Sequence, residues 1–273
     1  MYMKSNLVLI LTFCLVFLIP SELVEGKPSQ IGSSGLYEVS NGVSLYAEIQ
    51  GVPNSLPTVV FISGYGDSSS IWSKVQPEIA KHTLTVSYDR AGLGLSGETN
   101  KDKTTKQQVK ELHKLLRKAN IPGPYLLVGH SIGGLNVRAF ADRYNNEVAG
   151  AVLIDSSHEN QEAAIMATLP PEFIDLYKSQ FSAEGDYAEV MKSFSFVAKI
   201  RSHDALRHIP LTVISATEHG MGLEMEVIWA ELQEDLAALS DKANHITVEG
   251  SGHYVHLESA ELVVAEIHSL LRD

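Results

Sequence analysis

At 273 residues the chain is long enough for one large α/β domain with a substantial core, or for two small ones. Apolar residues make up 44% and charged residues 20%, the balance of an ordinary globular protein rather than a disordered or fibrous one. A formal net charge of −12 argues against a nucleic-acid partner, whose phosphates need a basic surface, and disfavours docking on anionic lipid.

The amino-terminal stretch differs in kind. Lys4 is the only charge before an apolar run over 7–19, broken only by Thr12. That run falls short of the ~20 residues a membrane span needs. A basic start, an apolar centre and polar residues after Pro20 read as a secretory signal over 1–26. Cleavage after Val24-Glu25-Gly26 would leave Lys27 first and the protein secreted or extracytoplasmic. The alternative is retention, with the segment anchoring the protein to a membrane. Cleavage also removes the only cysteine, Cys14, so neither a disulfide framework nor thiolate chemistry is expected of the mature chain. Residues 27–35 read as a polar linker, and the folded domain is expected over 36–273.

Short apolar or β-prone runs follow at 36–39, 43–49, 58–62, 84–88, 125–128, 150–154, 211–215 and 245–248. Asn41-Gly42 joins the first two as a hairpin. From the third onward, helical stretches separate the strands: 105–119, with Val109, Leu112, Leu115 and Leu116 at helical spacing, then 136–144, 225–239 and 259–271. In the last, Leu262, Val263, Ile267, Leu270 and Leu271 line one side. An antiparallel pair followed by alternating strand and helix predicts an α/β fold. Its eight-stranded, mostly parallel sheet would be covered by helices on both faces. After the sixth strand the alternation stops for about 55 residues, too long for a plain connection. Helices over 172–180 and 188–200 make this a helical cap at about 158–207, above the carboxyl ends of the strands, where open α/β sheets bind ligands.

Gly129-His130-Ser131-Ile132-Gly133 fits G-x-S-x-G between a strand and a helix. Small residues two positions away let strand and helix pass closely, so the turn lifts the Ser131 hydroxyl into the open. The Ile132 N–H then sits at a helix start, where negative charge is stabilised. A serine nucleophile needs a base. His253, in Gly250-Ser251-Gly252-His253 after the last strand, returns to the same sheet edge; His256 is the alternative. A carboxylate must hold that imidazole. Asp155 after the sixth strand, Glu218 after the seventh and Asp235 in a predicted helix are the three places open to it.

Four stretches together resemble the α/β-hydrolase superfamily, over nearly all of 36–273. They are Phe61-Ile62-Ser63-Gly64-Tyr65-Gly66-Asp67, Asp89-Arg90-Ala91-Gly92-Leu93-Gly94-Leu95-Ser96, the Ser131 turn and Gly252-His253. The resemblance implies an α/β-hydrolase-fold serine hydrolase of esterase or lipase type, with a Ser131–His253–acid triad. It makes Tyr65 the second oxyanion donor beside Ile132, and the Asp89-Arg90 turn a scaffold element. Ser63 departs from the family's usual histidine at that place. Some members place the acid as at Asp155, which favours it over Glu218. The expected substrate is a small apolar carboxylic ester, because Met166, Phe173, Phe181, Met191 and Phe194 enrich the cap. Amidase, peptidase or C–C bond cleavage by the same triad is the alternative, and a non-catalytic ligand-binding protein of the same fold is the rival. No cofactor and no metal are expected: His203, Asp204, His208, Glu218 and His219 supply ligand types without the spacing of a site.

Overall fold

The computed structural model describes residues 31–272, so the expected signal segment lies outside the described residues. The strands are β1 Gly35–Ser40, β2 Val43–Gln50, β3 Thr58–Ile62, β4 Thr85–Tyr88, β5 Tyr125–His130, β6 Val148–Ile154, β7 Leu211–Ala216 and β8 Ala243–Val248. The helices are α1 Gln76–Ile79, α2 Thr105–Lys118, α3 Gly133–Arg143, α4 Gln161–Thr168, α5 Ile174–Ser179, α6 Tyr187–Ile200, α7 Leu223–Ala237, α8 Val255–Glu258 and α9 Ala260–Arg272. All eight strands form one sheet in the order β1-β2-β4-β3-β5-β6-β7-β8. β2 runs antiparallel to β1 and to β4, and every other neighbouring pair is parallel. The β1–β2 hairpin closes on Ser40↔Val43 around Asn41-Gly42, with Gly42 at φ +76°.

The side-chain period of two divides the core. Val60 and Ile62 of β3, Leu127 of β5 and Leu153 of β6 point into one cluster, with Val109, Leu112, Leu115 and Leu116 of α2 and Phe140 of α3. The alternating residues Val59, Phe61, Leu126, Val128, Val152 and Ile154 point into the other, where Val263, Ile267 and Leu271 of α9 meet them. A central strand buried on both faces therefore reads as a continuous apolar run rather than an alternation.

The folded body starts earlier than the expected 36. Ile31 packs on the core, and the Gly32 N–H donates to the Ala119 carbonyl at 2.8 Å. The predicted helix 172–180 is instead a 3₁₀ turn, Pro171–Phe173, running into α5, and no residue of either is buried. α4 buries nothing either, so it leaves no apolar period in the sequence. α6 differs: it is capped by Asp186, whose carboxylate accepts the Glu189 N–H at 2.9 Å, and it packs Val190, Phe194 and Val197 against Ile132 and Leu135. The segment between β6 and β7 is thereby tied to the start of α3. No helix among the described residues is long and apolar enough to cross a membrane.

β3 and β5 are neighbours, yet the chain leaves β3 towards β4 on one side and leaves β5 towards β6 on the other. A crevice opens where connections diverge in this way, outside the carboxyl ends of the strands. The loop after β3 and the turn after β5 both leave the sheet at that divergence.

Candidate active site

Ser131 follows β5 with φ +52°, a left-handed conformation that costs an L-residue about 1–3 kcal/mol. Neighbouring backbone groups hold it there. Its N–H donates to the Ile154 carbonyl at 3.1 Å, and its carbonyl accepts from Gly134 at 2.9 Å and Ser157 at 3.0 Å. The glycines are required by close approach. A Cβ on Gly129 would lie 2.7 Å from Gly133 backbone atoms and from Val137, and one on Gly133 would run into the Ile62 carbonyl. Strand β5, helix α3 and the end of β3 therefore pass each other at backbone distance.

Asp155 comes directly after β6 and is likewise left-handed, at φ +40°. Its side chain is fully buried and all its acceptor positions are used. Oδ1 accepts the Ala216 N–H at 3.0 Å and the Trp229 indole N–H at 2.9 Å. Oδ2 accepts His253 Nδ1–H at 2.5 Å and His219 Nε2–H at 2.8 Å. Burial alone would raise the Asp155 pKa, but the hydrogen bonds from the two imidazoles outweigh it and hold the carboxyl well below the usual range.

The other expected acids lie apart from this group. Glu218 is exposed, and its backbone N–H, not its carboxylate, meets the Ser251 carbonyl at 3.0 Å. Asp235 is engaged elsewhere, by His158 at 2.7 Å and Arg201 at 2.8 Å. His256, the alternative base, is buried between Trp72 and His130, with no hydrogen-bond partner on either ring nitrogen. Burial, with the charge of His253, pushes its pKa down to about 3, so it is neutral.

The loop bearing His253 is fixed from two sides. Glu258 accepts the Gly252 N–H at 2.8 Å and the Ser251 hydroxyl at 3.1 Å. His130 Nε2–H donates to the His253 carbonyl at 3.0 Å, and the two rings lie 4.6 Å apart. The residue next to Ser131 thus grips the residue expected as its base.

The loop after β3 is held by atoms far away in sequence. Arg90 donates to the Ser63 carbonyl at 2.6 Å and to the Gly64 carbonyl at 2.5 Å. Its guanidinium is itself paired with Glu184, which lies between α5 and α6; both side chains are 2% exposed. Glu184 also accepts the Gly66 N–H at 3.3 Å and the Gln108 amide at 2.8 Å, and its own N–H donates to the Tyr65 hydroxyl at 3.0 Å. Ser63, at the family's usual histidine position, takes the Trp72 indole N–H at 3.1 Å and donates to the Ser68 carbonyl at 3.1 Å. Its hydroxyl therefore knits the loop locally. Asp89 does similar scaffold duty, accepting the Ser69 N–H at 2.6 Å and the Leu95 N–H at 2.8 Å. Neither Tyr65 N–H nor Ile132 N–H donates to an acceptor among the described residues, so both remain available to an oxyanion.

Two residues here escape a reading of motifs. Glu184 carries no local signal. His219 had one: it stands three residues past the β7 end, beside Glu218, on the same sheet edge as His253. Its Nδ1–H donates to Glu226 at 2.7 Å, so both ring nitrogens face carboxylates. Burial alone would lower its pKa, but the hydrogen bonds and charges of Asp155 and Glu226 lift it to about 9. A raised folded-state pKa contributes stability that is complete below the unfolded value of ~6.5 and is lost as pH rises through the folded one. The unfolding free energy is therefore expected to fall between pH 6.5 and 9, by on the order of 3 kcal/mol, and the melting temperature to fall with it. A flat profile over that range in scanning calorimetry would contradict the cationic His219.

Asp155, His219 and His253 also offer three donor atoms within 4.8 Å of one another. Tetrahedral ligation with bonds of ~2.0 Å separates donors by roughly 3.3 Å. Separations of 2.5 and 2.8 Å from Oδ2 are those of protons shared in hydrogen bonds, not of ligands around an ion.

A strained serine between β5 and α3, together with a hydrogen-bonded His–Asp pair beyond later strand ends, is the arrangement of the α/β-hydrolase class of site. A model of the alpha/beta hydrolase fold matches residues 57–183. The uncharacterized protein YqjL of Bacillus subtilis is 32% identical over 213 residues, spanning 78% of this chain and 83% of that one. A thermophilic esterase from Thermogutta terrifontis superposes with a TM-score of 0.66 at 20% identity, covering 89% of this chain and 98% of its own. The enol-lactonase from Burkholderia xenovorans LB400 does so with a TM-score of 0.62 at 20% identity, covering 87% and 100%. The chain belongs to the α/β hydrolase fold family.

Proposed function

We propose that this protein is a serine hydrolase that cleaves a small carboxylic ester through an acyl-enzyme on Ser131. The observation that carries the reading is the bond between buried Asp155 and His253 Nδ1, which fixes the tautomer leaving Nε2 free to accept a proton. His253 Nε2 takes the Ser131 proton as Oγ bonds to the ester carbonyl carbon. The carbonyl oxygen becomes an oxyanion between the Ile132 and Tyr65 N–H groups, each contributing about 3 kcal/mol to the barrier drop. Collapse breaks the bond to the alcohol oxygen, which leaves with the proton from His253. Water, deprotonated by the same nitrogen, then attacks the acyl carbon and releases the acid. The resemblance to an esterase and an enol-lactonase, both of which act on ester bonds, supports an ester over an amide. The apolar side chains Tyr65, Phe181, Met191 and Phe194, clustered beside Ile132, support an apolar acyl group.

The proposal extends to export, supported by the basic start and apolar run before Pro20. A fluorophosphonate probe should label the folded protein, with the adduct mapped to Ser131. The labelled form in the medium should begin at Lys27. p-Nitrophenyl esters of increasing acyl length should be hydrolysed, and the matching anilides much more slowly. Absence of labelling would overturn the hydrolase reading. A retained residue 1 would overturn cleavage, and faster anilide turnover would shift the assignment to an amidase.

A further inference from the structure

His219 occupies a position that a Ser–His–Asp triad does not need filled. Asp155 Oδ2 is shared between two imidazoles, and only one of them, His253, lies on the loop held by His130, the neighbour of Ser131. The other has a side chain only 5% exposed and is clasped twice by Glu226: the carboxylate accepts the His219 backbone N–H at 2.8 Å and Nδ1–H at 2.7 Å. Carboxylates at neutral pH only accept. A ring held between two of them carries protons on both nitrogens, so the geometry alone makes it an imidazolium. The groups facing it are Asp155 from the end of β6, Glu226 from α7 and His253 from the loop after β8. The uncharged Trp229 packs alongside at 5.2 Å.

We propose that His219 is a positioning residue: a fixed cation behind the triad acid that offsets the charge of Asp155 and so sets the pH range in which His253 is free to act as base. The proposal rests on the hydrolase reading above for its catalytic consequence.

The physical step is a competition for one carboxylate. With His219 uncharged, the full negative charge of Asp155 faces His253 and favours its protonated form, which cannot accept the Ser131 proton. With His219 cationic, 6.1 Å from the His253 ring, part of that attraction is cancelled. Glu226 opposes the effect only weakly, because it stands on the far side of His219. The hydrogen bond from Nε2 also leaves Asp155 Oδ2 no freedom to rotate away from His253. The raised pKa of His219 agrees with this geometry.

The test uses two variants. His219→Gln removes the charge and keeps an N–H that can reach Asp155. Glu226→Gln leaves the His219–Asp155 bond in place and removes only the reason for the second proton. The pH dependence of fluorophosphonate labelling should shift its acid limb upward in both variants, by on the order of one pH unit in His219→Gln and less in Glu226→Gln. Plateau rates should stay within about tenfold of wild type. Imidazole nitrogen NMR on the same proteins should show His219 doubly protonated at pH 7 in the wild type. It should also show the His253 signals titrating at higher pH in both variants. Lower plateaus with an unmoved acid limb would make His219 merely structural and overturn the proposal, as would a singly protonated His219 at pH 7. If the wild type is not labelled at any pH, the hydrolase reading fails. The NMR titrations then decide the electrostatic claim alone: shifted His253 signals support it and unshifted ones overturn it.

Discussion

Replacing Ser131 by glycine is expected to abolish turnover and to raise the melting temperature in the same protein. The first effect follows from loss of the nucleophile and should exceed ~10⁴-fold in kcat. The second follows from the backbone. At φ +52° a side chain is strained, and glycine is not. The unfolded chain gains freedom with glycine, which takes back part of the benefit. The net gain should be about 1 kcal/mol, or roughly 2–4 °C in a domain of this size. Ser131→Ala should lose activity equally and gain nothing, because its Cβ keeps the strain. Opposite signs for stability and activity at one residue mark a conformation held for chemistry. If Ser131→Gly were destabilised instead, the turn would be an ordinary connection that needs its hydroxyl.

Asp155→Asn should lower kcat by ~10⁴-fold with the fold intact, while Glu218→Gln leaves turnover unchanged. Asparagine tolerates the left-handed backbone, at φ +40° here, so the substitution is conformationally mild. Its carbonyl can replace Oδ1 and keep the bonds from Ala216 and Trp229. Its amide NH₂ then stands where Oδ2 accepted two N–H groups, and donor faces donor. His253 must turn or change tautomer, and in the wrong tautomer Nε2 carries a proton and cannot take another. Circular dichroism and labelling kinetics together separate this from unfolding. A fall below about tenfold, equivalent to ~1.4 kcal/mol, would remove Asp155 from the mechanism.

The sheet was legible from the chain because its strands are short apolar runs punctuated by turn residues, and helices α2 and α9 show a clear apolar stripe. What escaped has physical causes. α1 spans only Gln76–Ile79, too short to display a period. α4 and the Pro171–Ser179 stretch bury no side chain, so no face of them is marked by hydrophobicity. Within the site, the serine turn was readable because its glycines are dictated by local contact. The residues alone left the carboxylate open, and only the family resemblance favoured Asp155. Asp155 and Glu218 follow adjacent parallel strands, and only the three-dimensional exposure of each separates a fully buried acceptor from a solvated one. His219 was visible merely as a histidine beside an acid. Its partner Glu226 lies within α7, where an acidic residue near a helix start looks like ordinary dipole compensation.

The Arg90–Glu184 pair bears on how this enzyme scaffold can be altered. Exchanging the segment between β6 and β7 is an obvious way to change what the crevice admits. Here that segment supplies the only carboxylate on Arg90 among the described residues, and Arg90 in turn fixes the two carbonyls that precede Tyr65. A transplanted segment lacking an acid at position 184 would leave a guanidinium buried without its counter-ion, at about 3–5 kcal/mol. It would also free the backbone that presents Tyr65, the proposed oxyanion donor. Specificity and catalytic geometry are therefore inherited together, and a chimera that changes one must carry the acid of position 184 with it to keep the other.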